Sequence, residues 1–157
     1  MKKKSRHKPR PVLINPVAYV LESIKPVTMH DSYLLDLKIK NHGAMTSLTQ
    51  GNATIKDIDV LISVANMVEA LCMLGFGAEY VAVSKAGSDA LHFVGSRGAV
   101  TGRFILKAEE MNAMNELMEL HDQQMEIIVV KDIERANAVI NEMRRQRKMR
   151  SMTRTQI

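Results

Sequence analysis

A single all-α domain of about five or six helices, spanning residues 12–143, is the fold that the sequence predicts, with a flexible basic arm (1–11) before it and a basic extension (144–157) after it. Three observations predict it. Ile58, Leu61, Ile62, Ala65, Val68, Leu71 and Cys72 recur at intervals of three and four, the spacing of one buried helical face. Residues 101–125 are rich in Glu, Met, Ala and Leu, all strong helix formers. Helix-start pairs also alternate with Gly or Pro stops along the chain, and no fixed-period repeat or interdomain linker separates them.

The first helix is expected over Pro16–Ile24. Asn15 can accept a first-turn amide bond, Pro16 has no amide to leave unpaired, and Pro26 ends the element. Thr28 is read as the cap of a second helix, with Asp31 at the positive end of its dipole and Leu34, Leu37, Met45 and Leu48 along one face. The turn Gln50–Asn52 closes it. Thr54 and Asp57 then open the strongly periodic helix, which Gly75 and Gly77 should stop.

Val81, Ala86, Ala90, Leu91 and Val94 suggest a further helix interrupted by Gly87, followed by a glycine-rich turn, GSRGAVTGR at residues 95–103. A long helix is expected from Thr101 to about Met125, with Leu106, Met114, Leu117 and His121 toward the core. Ile127–Val130 is β-branched and should be a short extended link. Asp132 and Glu134 favour a final helix over Lys131–Met149, packed through Ile133, Ala136, Ile140 and Met143.

With 157 residues, the chain can bury roughly 70% of its unfolded surface. The interior must be aliphatic and thioether, because there are 12 Met but no Trp. The one cysteine, Cys72, excludes an internal disulfide and lies on the helical stripe, where an inert core thiol is expected. No apolar run approaches a membrane span, and Asn15 and Pro16 break the only segment resembling an export signal, so a cytoplasmic location is expected.

Charge carries the functional expectation. Residues 1–10 hold six basic side chains and no acid, and residues 144–157 hold another six and no acid. The ten remaining Lys and Arg face all 17 Asp and Glu, so the body is acidic. Basic ends of this kind attract phosphates through counterion release. The expected partner is DNA or RNA, bound by Lys2, Lys3, Lys4, Arg6, Lys8 and Arg10 of the arm and by Arg144, Arg145, Arg147, Lys148 and Arg150 of the extension, with Arg97 and Arg103 adding to the surface. No aromatic residue stands between these charges to stack on single strands. The alternative is a helical interaction module or inhibitor that docks a protein partner through a methionine-rich face. A homodimer would double the number of basic ends.

Catalytic and metal chemistry find no motif. GSRGAVTGR lacks the Gly-Lys-Ser/Thr ending of a phosphate-binding loop. Glu109, Glu116 and Glu119 lie near His121, but neither Glu116 nor Glu119 stands three residues before it, as a carboxylate-bridged bundle site requires. His7, His30, His42 and His92 are scattered, and no Gly-x-Ser-x-Gly elbow occurs. No cofactor, metal or enzymatic activity is therefore expected. ATIKDID, residues 53–59, resembles the opening of the helix-turn-helix in lac-repressor-type regulators, but the apolar stripe continues where that motif turns. INPVAYVLESIKPV (14–27) and ILKAEEMNAMNELMELHD (105–122) resemble small uncharacterised helical proteins of bacterial prophages and mobile elements, which implies an accessory or regulatory protein and transfers no functional residue.

Overall fold

Periodicity and capping place six α-helices in the computed structural model, which describes residues 16–29 and 31–146. They are α1 (Pro16–Ser23), α2 (Asp31–Thr49), α3 (Ile55–Met73), α4 (Val81–Thr101), α5 (Ala108–Ile127) and α6 (Val130–Arg145). Short 3-10 turns at Val27–Met29 and Ala78–Tyr80 precede α2 and α4. Among the described residues there is no β-strand, only an isolated antiparallel bridge between Pro26 and Val129. The expected arm at 1–11, the extension from Arg147 onward and with it the expected end of the last helix at Met149 lie outside the described residues.

Helix α3 is the centre, touching α2, α4, α5 and α6. Its expected stripe is buried except Ile62, which is half-buried. One core cluster joins that stripe to Leu48, Leu91, Val94, Met114 and Leu117; a second, at the other end, gathers Val27, Leu71, Met125, Ile128 and Ala136. Three helices begin alike. Asp57 accepts the Thr54 amide (2.7 Å), Glu110 the Lys107 amide (2.8 Å) and Asp132 the Val129 amide (3.1 Å), each carboxylate satisfying a donor that the helix leaves unpaired.

The Ile127–Val130 link is extended at Ile128 and Val129. Val27 N–H bonds Ile128 O and Val130 N–H bonds Lys25 O, both at 3.1 Å, so the pairing brackets Pro26 and never calls on its missing amide.

The glycine-rich stretch differs from expectation. Gly87 does not interrupt α4, and residues 95–101 form its last turns rather than a connecting loop. The helix stops at Gly102 (φ +72°), whose N–H bonds Gly98 O at 2.8 Å, so α5 begins at Ala108, not Thr101. Packing is the reason. A β-carbon at Gly87 would stand 2.7 Å from Leu117 Cδ2 and 2.9 Å from its Cβ, and one at Gly98 would fall inside the Phe104 ring. Helical glycine costs about 1 kcal/mol relative to alanine, offset here by the close approach of α4 to α5 and its connection. The buried side of α4 accordingly runs through Ser84, Gly87, Leu91, Val94 and Gly98, while Val81 and Ala86 are exposed. Thr28 lies within a 3-10 turn, and α2 starts at Asp31.

Helix α1 is turned the other way. Val17, Val20, Leu21 and Ile24 lie at i, i+3, i+4 and i+7 yet are 55–68% exposed, whereas Tyr19 on another side donates to Glu134 of α6 at 2.7 Å.

Candidate functional site

Of the basic residues expected to meet phosphate, Lys2, Lys3, Lys4, Arg6, Lys8, Arg10, Arg147, Lys148 and Arg150 lie outside the described residues. Arg144 and Arg145 are exposed in the last turn of α6, where positive charge also complements the helix dipole; Arg145 reaches Glu142 at 3.3 Å. Arg103 is exposed just after Gly102.

Arg97 has a different occupation. Its guanidinium forks onto Glu110, Nη1 to Oε1 at 2.7 Å and Nη2 to Oε2 at 2.5 Å, and Nη2 also donates to Ile105 O at 2.8 Å. This clamp closes the connection between α4 and α5. Glu110 is 11% exposed, and the bonds from Arg97 hold its carboxyl below the usual value against the opposing effect of burial. Over residues 16–146, twelve basic side chains face seventeen acidic ones, so the helical body is acidic and the remaining positive charge belongs to the ends.

A cleft of about 130 Å³ opens between α2, α3, α5 and α6. Leu37, Val60, Val64, Met67, Met125 and Ile133 form its apolar wall. Tyr33, Lys40, Asn41, Ser63 and His121 are its polar members, and none of its lining residues is acidic. Two of these polar side chains are nearly enclosed. His121 is 3% exposed and Asn41 4%; the His121 Nδ1 has no hydrogen-bond partner, and the Asn41 amide makes no side-chain bond among the described residues. Ser63 instead donates to Asp59 O at 2.8 Å.

Beside the cleft, Asp122 sits between two imidazoles. His42 Nε2 lies 2.9 Å from Asp122 Oδ2, a hydrogen bond, while His121 Nδ1 stands 3.6 Å from Oδ1, beyond normal bonding reach but within electrostatic range. His121 first and then His42 hold the Asp122 carboxyl below its usual value, with burial acting against them.

Residue spacing predicts His121 on the core side of α5 but marks none of Lys40, Asn41 and Asp122 as functional. A signal for Asn41 was present, because it falls on the same face as Leu37, Met45 and Leu48 and is therefore a polar residue on an apolar stripe. Its junction with His121 comes from tertiary packing and has no signature in either segment.

Elsewhere the chemistry is structural. Gln124, 2% exposed, donates to Phe76 O at 2.8 Å and to Cys72 Sγ at 3.5 Å, tying α5 to the turn after α3. Burial pushes the Cys72 thiol up, with the Gln124 bond opposing. Among the described residues no group of three or more His, Cys, Asp and Glu could hold a metal ion, and no helix is long and apolar enough to cross a membrane. No family model, curated protein or solved structure matches the chain.

Proposed function

We propose that the chain is a cytoplasmic, non-enzymatic accessory or regulatory protein that associates with nucleic acid, its basic ends contacting phosphates while the acidic helical body positions a partner. The observation that carries this reading is the segregation of charge: residues 1–10 and 144–157 each hold six basic side chains and no acid. The Arg97 clamp adds to it, since an arginine engaged by Glu110 and a backbone carbonyl is a poor phosphate ligand and leaves the ends, with Arg103, as the phosphate-seeking groups. An accessory role in a bacterial prophage or mobile element is proposed with it, on the resemblance of residues 14–27 and 105–122 to small helical proteins of such elements.

Fluorescence anisotropy with duplex DNA, single-stranded DNA and RNA across a salt series tests it. The expected result is binding whose log-log salt slope reaches several units, about −0.9 per contacted phosphate on duplex DNA. Absence of binding to all three at low salt contradicts the proposal.

A second reading is a protein-interaction module, and the exposed stripe Val17, Val20, Leu21 and Ile24 favours it. Met45, Met114, Met118, Met125 and Met143 are buried in the core and Met73 is exposed, so the α1 stripe offers the larger contiguous apolar face for this contact. The partner in this reading is a second copy of the chain, which would set two basic arms side by side. Sedimentation at micromolar concentration should then show a dimer that Leu21→Glu dissociates; a native monomer excludes it.

A further inference from the structure

We propose that the cleft between α2, α3, α5 and α6 is a binding site for a small monocarboxylate with an apolar, ring-sized body. A protein interior rarely encloses polar side chains without partners, because each loses its bonds to water and gains none in return. Here two side chains more than nine-tenths buried border one cleft, His121 from α5 and Asn41 from α2; the Asn41 amide makes no side-chain bond among the described residues, and a ligand able to accept from it would supply one. The sign of the ligand follows from the lining. Lys40 is the one cation among the lining residues, Asn41 and Tyr33 add neutral donors, and no carboxylate lines the space. Asp122, outside the lining, is bonded to His42 through Oδ2 and faces the His121 Nδ1 through Oδ1 at 3.6 Å, so Lys40 and Asn41, not His121, are the groups left to meet the anion.

Size and apolar wall define the rest. The cleft's volume of about 130 Å³ is close to that of a roughly 150 Å³ cavity known to admit benzene. Val60, Val64, Met67 and Met125 would cover such a body while its carboxylate turned toward Lys40 and Asn41. Preference for an anion here would be a local property, because the body as a whole is acidic and its general field favours cations. The proposal does not rest on the basic ends or on any nucleic-acid contact.

Benzoate serves as the probe, with benzyl alcohol and benzylammonium as neutral and cationic counterparts, each titrated into the full chain and followed by amide chemical shifts. Benzoate should give saturable shifts centred on Asn41, Val64 and His121, with benzyl alcohol about tenfold weaker and benzylammonium weaker still. Lys40→Met, at an exposed position that leaves the fold intact, should reduce benzoate to the level of the alcohol; Val60→Phe, which fills the opening, should abolish all three. Failure of benzoate to saturate these amides at tens of millimolar overturns the site. Equal binding of the three probes, or benzoate binding unaffected by Lys40→Met, overturns the assignment to a carboxylate.

Discussion

Three glycines in helices should respond in opposite directions to the same substitution. By helix propensity alone each change to alanine stabilises by about 1 kcal/mol. At Gly43 in α2 nothing lies within 4 Å of the added carbon, so Gly43→Ala should deliver about 0.5–1 kcal/mol. At Gly87 the new methyl meets Leu117 Cδ2 at 2.7 Å, Cβ at 2.9 Å and Cγ at 3.0 Å. A rotamer change can move Cδ2 but not Cβ, which the backbone fixes, so α4 and α5 must separate. Overpacking of that kind costs about 1–3 kcal/mol, and the upper part of the range, less the propensity gain, leaves Gly87→Ala destabilised by about 1–2 kcal/mol. Gly98→Ala must expel the Phe104 ring, losing about 1.5–3 kcal/mol of burial, for a similar net effect. Equilibrium urea unfolding followed by circular dichroism reads the difference. With a slope near 2 kcal/mol/M, the midpoints of Gly43→Ala and Gly87→Ala should stand about 1 M apart, native between them. A Gly87→Ala protein as stable as Gly43→Ala would refute the close packing of α4 on α5.

Other perturbations follow from the same contacts. Glu110→Gln removes the fork on Arg97 and should destabilise by about 1.5–3 kcal/mol, measured by the same unfolding assay. Because the folded Glu110 carboxyl titrates below its usual value, its contribution is fully present above the unfolded pKa and is lost as pH falls through the lower folded one; the acid limb of stability against pH should be shallower in Glu110→Gln. Asp122→Asn should flatten that limb for the same reason, its carboxyl being held down by His121 and His42. Cys72, buried and with a raised thiol pKa, should react with a disulfide reagent at the rate of opening, slow in buffer and faster with added urea; immediate reaction in buffer would place it at the surface.

Local patterns and tertiary packing divide what the sequence revealed. The α3 stripe, the Thr54–Asp57 start and the Gly75–Gly77 stop are written in spacing and turn chemistry and stand where expected, whereas the extended link expected over Ile127–Val130 is confined to Ile128 and Val129. The helix boundary around Gly95 and Gly98 was misplaced because glycine reads locally as a breaker. Its meaning here, room for Leu117 and Phe104, depends on residues on another helix and its connection. Arg97 likewise read as a surface cation, since nothing in GSRGAVTGR reveals Glu110 thirteen residues on as its partner. The cleft was the least legible feature. Asn41 broke the apolar pattern of α2, but its meeting with His121 requires α2, α3 and α5 to be assembled.

In the proposed function, affinity for nucleic acid resides in the basic ends and not in the helical body. It is tested most directly by comparing the salt dependence of duplex binding for the native chain with that of a full-length variant in which the twelve basic residues of 1–10 and 144–157 are replaced by glutamine. This variant should fold normally and lose both the affinity and the steep slope, while Arg97→Gln and Arg103→Gln together should shift the slope by no more than about one unit. Binding retained by the end-neutralised chain with an undiminished slope would contradict it.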